Sequence, residues 1–223
     1  MNNQPANQRG SLRESYNKHA QERDANAIPP WKADMRARYL ALLQAQACQT
    51  LLEIGAGPGH DSIFFKEQGL DVTCIDLSPA MVALCRQKGL NALEMDMVNL
   101  SFPAAAFDAV FAMNSLLHLP KAEFLPVLRQ IERVLKPGGL AFIGVHGGYE
   151  FEGIWALDHY RPQRFFSFFT DEAIQAAAAQ VFEILAFDCV FFEKDGPMHH
   201  QELTLQKREG RPVDSDNAEH LSR

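Results

Sequence analysis

The fold of this chain is decided by the stretch Leu51-Leu52-Glu53-Ile54-Gly55-Ala56-Gly57-Pro58-Gly59-His60-Asp61. A short apolar run, typical of a buried strand, breaks into glycines at alternate positions, and the segment 62–67 that follows reads as a helix. A strand, a glycine turn and a helix bring backbone N–H groups close to a bound nucleotide. A dinucleotide-binding turn would have its third glycine at position 60, but here the glycine is Gly59 and His60 follows it. The spacing therefore favours an adenosine cofactor other than a dinucleotide, and Asp61 is expected to cap the helix.

Composition limits the class of protein. The chain has 223 residues, of which 47% are hydrophobic, and a formal net charge of −7. This length suits one α/β domain, and the acidic balance argues against a nucleic-acid partner, because such surfaces are basic. No window has the apolar length of a membrane span, and residues 1–10 lack the apolar core of a signal peptide. The four cysteines are scattered without a C-x-x-C pair, which predicts a cytoplasmic protein with reduced thiols.

Strand-like and helix-like segments alternate as far as Val145. Apolar strand patterns are predicted at 50–54, 71–76, 91–95, 107–113 and 140–145, with helical patterns between most of them. A sixth strand is predicted within 182–193 and a seventh at 200–207, where it must return antiparallel to the sixth. This alternation predicts an α/β, Rossmann-like, doubly wound sheet of seven strands, mostly parallel with an antiparallel last strand and with helices on both faces.

The same pattern predicts the domain organisation. Residues 1–45 are interpreted as an N-terminal tail, disordered to about Gly10, followed by a helical cover. Residues 46–207 form the expected domain, with an irregular insertion at 146–169 that is rich in aromatic residues and glycine. The polar segment 208–223 is expected to be a disordered tail.

Four motifs, taken in order, resemble a known family. They are Glu53-Ile54-Gly55-Ala56-Gly57-Pro58-Gly59, Ile75-Asp76-Leu77-Ser78-Pro79, Met95-Asp96, and Phe107-Asp108 through His118 followed by Leu135-Lys136-Pro137-Gly138-Gly139. Together they are similar to the class I S-adenosylmethionine-dependent methyltransferases, and most similar to the bacterial group that includes the ubiquinone and menaquinone biosynthesis methyltransferases. The resemblance implies S-adenosylmethionine as cofactor and methyl transfer as the reaction.

The resemblance also implies cofactor-binding positions. Asp76 would accept hydrogen bonds from the ribose hydroxyls, although an Asp that only initiates a helix is an alternative. Asp96 would accept from the adenine amino group, with Met97 near the ring, and Asn114 would line the methionyl and methyl end. Glu53 either contacts the ammonium end or bonds to local backbone. The full predicted set is Glu53, Gly55, Ala56, Gly57, Gly59, Asp76, Leu77, Asp96, Met97 and Asn114.

Residues near the methyl acceptor are expected at the carboxyl ends of the strands, where open α/β sheets bind ligands. His118 and, second, His146 are the candidate catalytic bases, with a structural histidine as the alternative for each. Arg164 could hold an anionic group of the substrate, and His199 would reach the rim if the seventh strand runs antiparallel. The predicted substrate-binding set is Tyr16, Tyr149, Trp155, Arg164 and His199. Core packing is expected of Phe165, Phe166, Phe168 and Phe169.

The acceptor itself remains open. A small molecule is the first hypothesis, and the alternatives are an RNA or protein substrate, a non-catalytic S-adenosylmethionine-binding protein, and a nicotinamide oxidoreductase. Transfer from a sulfonium is an in-line displacement that requires no metal, so no metal ligands are predicted. The main task of such a protein is to align the nucleophile with the methyl group in a site with little water.

Overall fold

The computed structural model describes residues 4–191 and 196–209. The part of the predicted tail beyond residue 209 lies outside this range, as do residues 192–193 at the end of the segment predicted to contain the sixth strand. The helices are α1 (Gln4–Lys18), α2 (Ala20–Ala25), α3 (Pro30–Ala45), α4 (His60–Glu67), α5 (Pro79–Gln87), α6 (Lys121–Val134) and α7 (Asp171–Ala179). The strands are β1 (Thr50–Ile54), β2 (Asp71–Asp76), β3 (Asn91–Glu94), β4 (Phe107–Met113), β5 (Leu135–Gly147), β6 (Phe151–Ile154), β7 (Phe165–Phe168), β8 (Glu183–Phe191) and β9 (His199–Gln206).

Seven strands form the central sheet in the order β3-β2-β1-β4-β5-β9-β8. The first five are parallel, and β9 runs antiparallel to both of its neighbours. Leu51 and Leu52 are both fully buried but belong to separate apolar clusters. One cluster includes Tyr39 of α3 and the other includes Leu128 of α6, so helices cover both faces. The predicted fold class is confirmed, including the antiparallel last strand.

The start of helix α5, directly after β2, is determined by two residues of the sequence. Ser78 is its N-cap, and the Ser78 hydroxyl oxygen accepts from Met81 N at 3.2 Å. Pro79 occupies the first helical position, where its missing N–H costs nothing. The cap fixes the chain direction directly after Asp76, and so holds that carboxylate at the end of β2.

Three local expectations were wrong. Helix α1 begins at Gln4, so residues 4–10 are not a disordered tail, because tertiary ion pairs of α1 hold this polar helix in place. Strand β5 begins at Leu135, not at the predicted residue 140, and passes through 136–139 as a bulge, where its pairing with β4 shifts and Gly138 has φ +72°. The insertion at 146–169 is not wholly irregular, since β6 and β7 pair as a separate antiparallel sheet. Within the described residues, no helix is both long enough and apolar enough to span a membrane.

Candidate functional site

The glycine loop after β1 has two closely packed glycines and one that faces open space. Gly55, Gly57 and Gly59 have φ values of +74°, +54° and +88°. A Cβ on Gly55 would lie 2.3 Å from Ser115 Cβ, and one on Gly59 would lie 2.7 Å from Leu90 Cδ1. Nothing lies within 4 Å of the Cβ position of Gly57. The outer two glycines therefore allow the loop to pack on the domain, whereas Gly57 leaves room beside the backbone for a ligand.

Asp76 closes this loop from the end of β2. One carboxylate oxygen accepts from Gly57 N at 2.8 Å, and the other accepts from Ser78 N at 2.8 Å. Burial raises the pKa of Asp76 to about 6, despite these two backbone donors. An ionised carboxylate has about four acceptor positions, so two remain for hydroxyl groups of a ligand. Leu77 lies next to it on the wall of the cleft.

Asn114 follows β4 and has an unsatisfied polar atom. Its backbone has φ +52°, and its N–H donates to Gly144 O at 2.7 Å. Its side-chain Oδ1 is buried and has no hydrogen-bond partner among the described residues. An unpaired buried carbonyl costs about 1–3 kcal/mol. The Asn114 amide is therefore arranged to accept from a group that a ligand brings into the cleft.

The cleft at the carboxyl ends of β1, β2 and β4 has three connected parts. The strand-end cavity is narrow and is lined by Leu12, Gly55, Asp76, Leu77, Asp96, Met97, His118 and other residues. The loop cavity has a volume of about 130 Å³ and includes Arg23, Lys32, Glu53, Gly55, Ala56, Gly57 and Asn114. The aromatic chamber has a volume of about 380 Å³ and is lined by Tyr16, Arg23, Asn114, Leu117, His118, His146, Trp155, Arg164, Phe166, Phe168 and Met198. Asn114 lines the second and third parts, and His118 lines the first and third.

Helix α1 lies across the strand-end cavity. Arg9 Nε is 2.9 Å from the Asp96 carboxylate, and Arg9 also pairs with Glu123. Asp96 additionally accepts from Val98 N at 3.2 Å. The Asp96 carboxylate, predicted to face an adenine amino group, is thus shared with the cover. Met97 beside it lines the cavity.

Glu53 and Asp61 have partners that the sequence did not indicate. Glu53 is buried and accepts from the Ser62 hydroxyl, so it bonds to a side chain and not to local backbone. Burial, together with the nearby Asp61 carboxylate, raises the pKa of Glu53 well above its ordinary value. Asp61 does not cap α4: it lies in the first turn and accepts from Arg36 Nη1 at 3.1 Å.

The polar centre of the aromatic chamber is a Tyr–His contact. Tyr16 Oη lies 2.6 Å from His118 Nε2, and His118 Nδ1 lies 2.8 Å from Phe165 O. A carbonyl can only accept, so Nδ1 carries the proton and Nε2 accepts from the Tyr16 hydroxyl. Burial lowers the pKa of His118 to about 3, and the Arg164 cation acts in the same direction. The imidazole is therefore neutral at physiological pH.

Arg164 completes this network. Its guanidinium donates to both carboxylate oxygens of Asp158, at 2.6 and 3.1 Å, and to Tyr16 Oη at 3.1 Å. It also lies 3.9 Å from the ring centre of Tyr160. Burial would raise the pKa of Asp158, but the Arg164 hydrogen bonds outweigh it and the pKa falls below its ordinary value. Because Arg164 is already paired with a carboxylate, it orients Tyr16 and has little capacity for a substrate anion.

The opposite wall is aromatic. Trp155 packs edge-on against Phe166 and Phe168, with ring centres 5.6 and 5.9 Å apart. Both phenylalanines belong to the core, as expected, but they also line the chamber. His146 is on this wall, and burial, with the charge of Lys32, lowers its pKa to about 4.

Two predicted substrate residues do not line the aromatic chamber. The Tyr149 ring packs edge-on against Phe168, with ring centres 5.4 Å apart, and is only partly buried. Strand β9 does bring its first residue to the expected sheet edge, but His199 Nε2 bonds to Asp171 at 2.8 Å. Its imidazole is thereby turned away from the chamber.

Sequence reasoning also missed residues that the cleft uses. Arg9 and Arg23 belong to the N-terminal helices, Lys32 lies in the first turn of α3, Leu117 follows β4, and Met198 precedes β9. The N-terminal segment is polar throughout, so its sequence gives no pattern by which residues that line the cleft could be distinguished from residues on the surface. Met198 could have been found, since the same topological argument that selected His199 also applies to its neighbour.

The fold and the cleft define a Rossmann-like α/β domain that places a nucleoside-type site beside an aromatic chamber. Residues 51–139 match a family model described as a methyltransferase domain. Over this segment the chain is similar to a methyltransferase domain, in agreement with the resemblance found in the sequence.

Individual relatives agree with this assignment. The chain is 34% identical over 124 residues to the demethylmenaquinone methyltransferase of Thermus thermophilus, covering 51% of this chain and 56% of the relative. It is 30% identical over 139 residues to the glycine N-methyltransferase of Rattus norvegicus, covering 53% and 47%. The chain thus spans about half the length of the curated relatives it matches.

A solved structure shares the fold. The 1,6-didemethyltoxoflavin-N1-methyltransferase of Burkholderia thailandensis, solved with 1,6-didemethyltoxoflavin and S-adenosylhomocysteine, matches with a TM-score of 0.59. It is 24% identical, and the match covers 83% of this chain and 93% of that one. At this identity the likeness establishes the fold only.

Proposed function

We propose that the protein binds S-adenosylmethionine and transfers its methyl group to a small-molecule acceptor. The proposal rests mainly on two residues that each line two of the cavities. Asn114 faces both the loop cavity and the aromatic chamber, and His118 faces both the strand-end cavity and the aromatic chamber. A donor in the first two cavities and an acceptor in the third would meet at these residues, which is the arrangement an in-line transfer needs.

The residues of the cleft fit this cofactor. Asp76 retains acceptor positions for ribose hydroxyls after bonding the loop. The orphaned Asn114 Oδ1 suits an ammonium donor, and Arg23 in the loop cavity suits a carboxylate. Gly57 leaves the backbone open to close approach. When bound, S-adenosylmethionine supplies a methyl group already activated by a positively charged sulfur.

The chemistry of Tyr16 and His118 favours positioning over proton abstraction. A general base works best with a pKa near the operating pH, whereas the pKa of His118 lies near 3 and burial raises that of Tyr16. Tyr16 donates to His118, so its oxygen is left to accept from Arg164 and from the nucleophile of the acceptor. We therefore assign Tyr16 to acceptor contact and His118 to holding the Tyr16 hydroxyl. His146, the second candidate base, lines the same chamber, but burial and the Lys32 charge lower its pKa to about 4, which disfavours it as a base as well.

A small molecule is favoured over RNA or protein by the shape of the chamber. The chamber has a cavity volume of about 380 Å³ and is covered by Tyr16 of α1 on one side and by Phe166 and Phe168 of the β6–β7 sheet on another. Such a volume is in the range of small-molecule sites, roughly 300–1,000 Å³. A cytoplasmic location is proposed with it on the basis of four free cysteines, and cell fractionation would test that part.

Two measurements test the function. Calorimetric titration with S-adenosylmethionine should give one binding site, and Asp76→Asn should weaken it. Formation of S-adenosylhomocysteine should then be assayed with a panel of metabolites, RNA and protein extracts. Binding without turnover on any of them would favour the non-catalytic alternative, and turnover on RNA or protein alone would replace the proposed acceptor. Failure to bind would reject the cofactor assignment.

A further inference from the structure

A carboxylate, a thiol and an imidazole lie together outside the cleft. Asp171 is in the first turn of α7, Cys189 is in β8 and His199 begins β9. One ligand atom from each lies within 4.8 Å of the other two. His199 Nε2 is 2.8 Å from one Asp171 oxygen, and Cys189 Sγ is 3.8 Å from the other. Three separate elements thus direct three different metal-ligating groups at one point.

These distances suit a tetrahedral zinc ion. Zinc accepts cysteine, histidine and aspartate with bonds of about 2.0–2.3 Å, which places neighbouring ligand atoms roughly 3.3–3.8 Å apart. The distance from the thiol to Asp171 Oδ2 already lies at this spacing. The distance from the imidazole to Asp171 Oδ1 must lengthen by about half an ångström. The Asp171 side chain is 33% exposed and that of His199 only 7%. The carboxylate side of the cluster therefore faces water, which can supply the fourth ligand.

Neighbouring groups support a cation at this point. Gln201 Nε2 donates to Asp171 Oδ1 at 2.7 Å and so orients the carboxylate. Outer hydrogen bonds of this kind fix the ligands of metal sites. The carboxylates of Asp188 and Glu202 are close enough to Cys189 to interact with it electrostatically. The surroundings are therefore acidic, which stabilises a bound cation.

We propose that Asp171, Cys189 and His199 bind a zinc ion, with water as the fourth ligand. Binding replaces the His199–Asp171 hydrogen bond with metal–ligand bonds. The proton that His199 Nε2 donates to Asp171 moves through solvent to Nδ1, and the thiol proton of Cys189 is released to solvent. The ion would join α7, β8 and the start of β9. Since Met198 precedes this point and lines the aromatic chamber, the ion would also fix one wall of the chamber.

Cobalt(II) titration of the full, chelator-treated chain tests the proposal. We expect one cobalt ion per chain, the visible bands of a tetrahedral ion and a sulfur-to-cobalt charge-transfer band. Zinc should displace the cobalt and raise the melting temperature of the wild-type protein. Absence of the charge-transfer band would overturn the proposal and leave an ordinary His199–Asp171 hydrogen bond.

Variants assign the ligands. Cys189→Ser should abolish the charge-transfer band, and His199→Gln should weaken cobalt binding at least tenfold. Cys48→Ser is the matched control, because Cys48 is also free and partly buried but lies outside the cluster; it should keep the band. A band that persists in Cys189→Ser, or is lost in Cys48→Ser, would contradict the assignment. If Cys189→Ser does not fold, the affinity of His199→Gln for cobalt and the number of cobalt ions per wild-type chain still test the site. None of these measurements depends on methyl transfer, so the proposed site can fail without affecting the proposed function.

Discussion

The Tyr16 hydroxyl and His118 Nε2 lie 2.6 Å apart, although 102 positions separate the two residues in the chain. The contact joins α1 to the short turn after β4. Because Phe165 O fixes the proton of His118 on Nδ1, the direction of the Tyr16 hydrogen bond is determined as well. A phenol from the N-terminal cover is thereby held in one orientation inside the aromatic chamber.

Removing the Tyr16 hydroxyl should impair turnover more than cofactor binding. For Tyr16→Phe we expect kcat to fall about 10- to 100-fold, the scale expected when a positioned group is lost. The dissociation constant of S-adenosylhomocysteine should change by less than about threefold. Steady-state kinetics and calorimetry measure the two effects. Tyr149→Phe is the matched control, since Tyr149 packs outside the chamber, and an equal loss in both variants would contradict the role of Tyr16.

The His118 side chain should act through Tyr16. We expect His118→Gln to lower kcat, and the double variant with Tyr16→Phe to lose little more than the worse single variant. Residues that act as one unit give such non-additive losses. Turnover of the four proteins of the cycle measures this coupling. Additive losses, or an inflection of kcat between pH 5 and 8 that disappears only in His118→Gln, would restore His118 as an independent base.

Asp76 should make cofactor binding pH-dependent. Its pKa in the folded, ligand-free protein is about 6, above the ordinary 3.8, so the protonated form predominates below pH 6. Ribose hydroxyls would favour the ionised form, so binding near pH 6 should release protons and affinity should rise from pH 5 to 7. Calorimetry of S-adenosylhomocysteine binding in buffers of different ionisation enthalpy measures the release. Asp76→Asn should show neither the proton release nor the rise in affinity with pH. Proton release that persists in this variant would exclude Asp76 as the source of the protons.

The same pKa shift also makes folding stability depend on pH, but in the opposite direction: stability falls as pH rises, whereas cofactor affinity increases. Because the folded-state pKa is raised, the contribution of Asp76 is fully present below about pH 4 and is lost as pH rises through 6. A shift of about two units corresponds to about 3 kcal/mol. Without ligand, Asp76→Asn should therefore gain stability relative to the wild type as pH rises from 4 to 7. Denaturant unfolding at both pH values measures this difference, and a constant difference would contradict it.

The sheet and the strand-end residues could be predicted because both depend on local pattern and a general topological rule. Alternating strands and helices require parallel pairing, and parallel strands bring Asp76 and Asn114 to one edge. The contacts of Tyr16 and Arg164 could not be predicted, since they join the cover to the insertion through side chains far apart in sequence. The start of helix α1, residues 4–10, was missed because this segment is polar and is held by tertiary ion pairs, such as that of Arg9 with Asp96.

Two glycines of the loop should respond differently to alanine. Gly59→Ala should destabilise the fold by about 2–3 kcal/mol, because the new Cβ would overlap Leu90 and Cys85 at positive φ. Gly57→Ala should cost only about 1 kcal/mol from its φ of +54°, yet weaken S-adenosylhomocysteine binding at least tenfold by filling the loop cavity. Unfolding curves and calorimetry separate the two effects. Normal ligand affinity in Gly57→Ala would contradict the cofactor position.

Loss of Arg164 should destabilise the protein through Asp158. The Asp158 side chain is fully buried, and Arg164→Ala would leave its charge unpaired at a cost of about 3–5 kcal/mol. Thermal unfolding should show a drop of roughly 10 °C. Asp158→Asn should lower folding stability by less than Arg164→Ala does. Its loss of stability relative to the wild type should shrink as pH falls below 4, because Asp158, with its lowered pKa, stabilises the fold only when its carboxyl is ionised. A pH-independent deficit would contradict this.

The family match ends at residue 139, whereas Trp155 and Arg164 lie beyond it and Tyr16 lies before it. Under the proposed function, the donor half of the cleft comes largely from the family segment and much of the acceptor half from the two segments that flank it. Mutations that alter acceptor preference can therefore accumulate in these flanks without altering the Asp76 region. Such a chain can acquire a new substrate while inheriting its methyl donor unchanged, and exchange of the 146–169 segment between relatives is a practical route to altered selectivity.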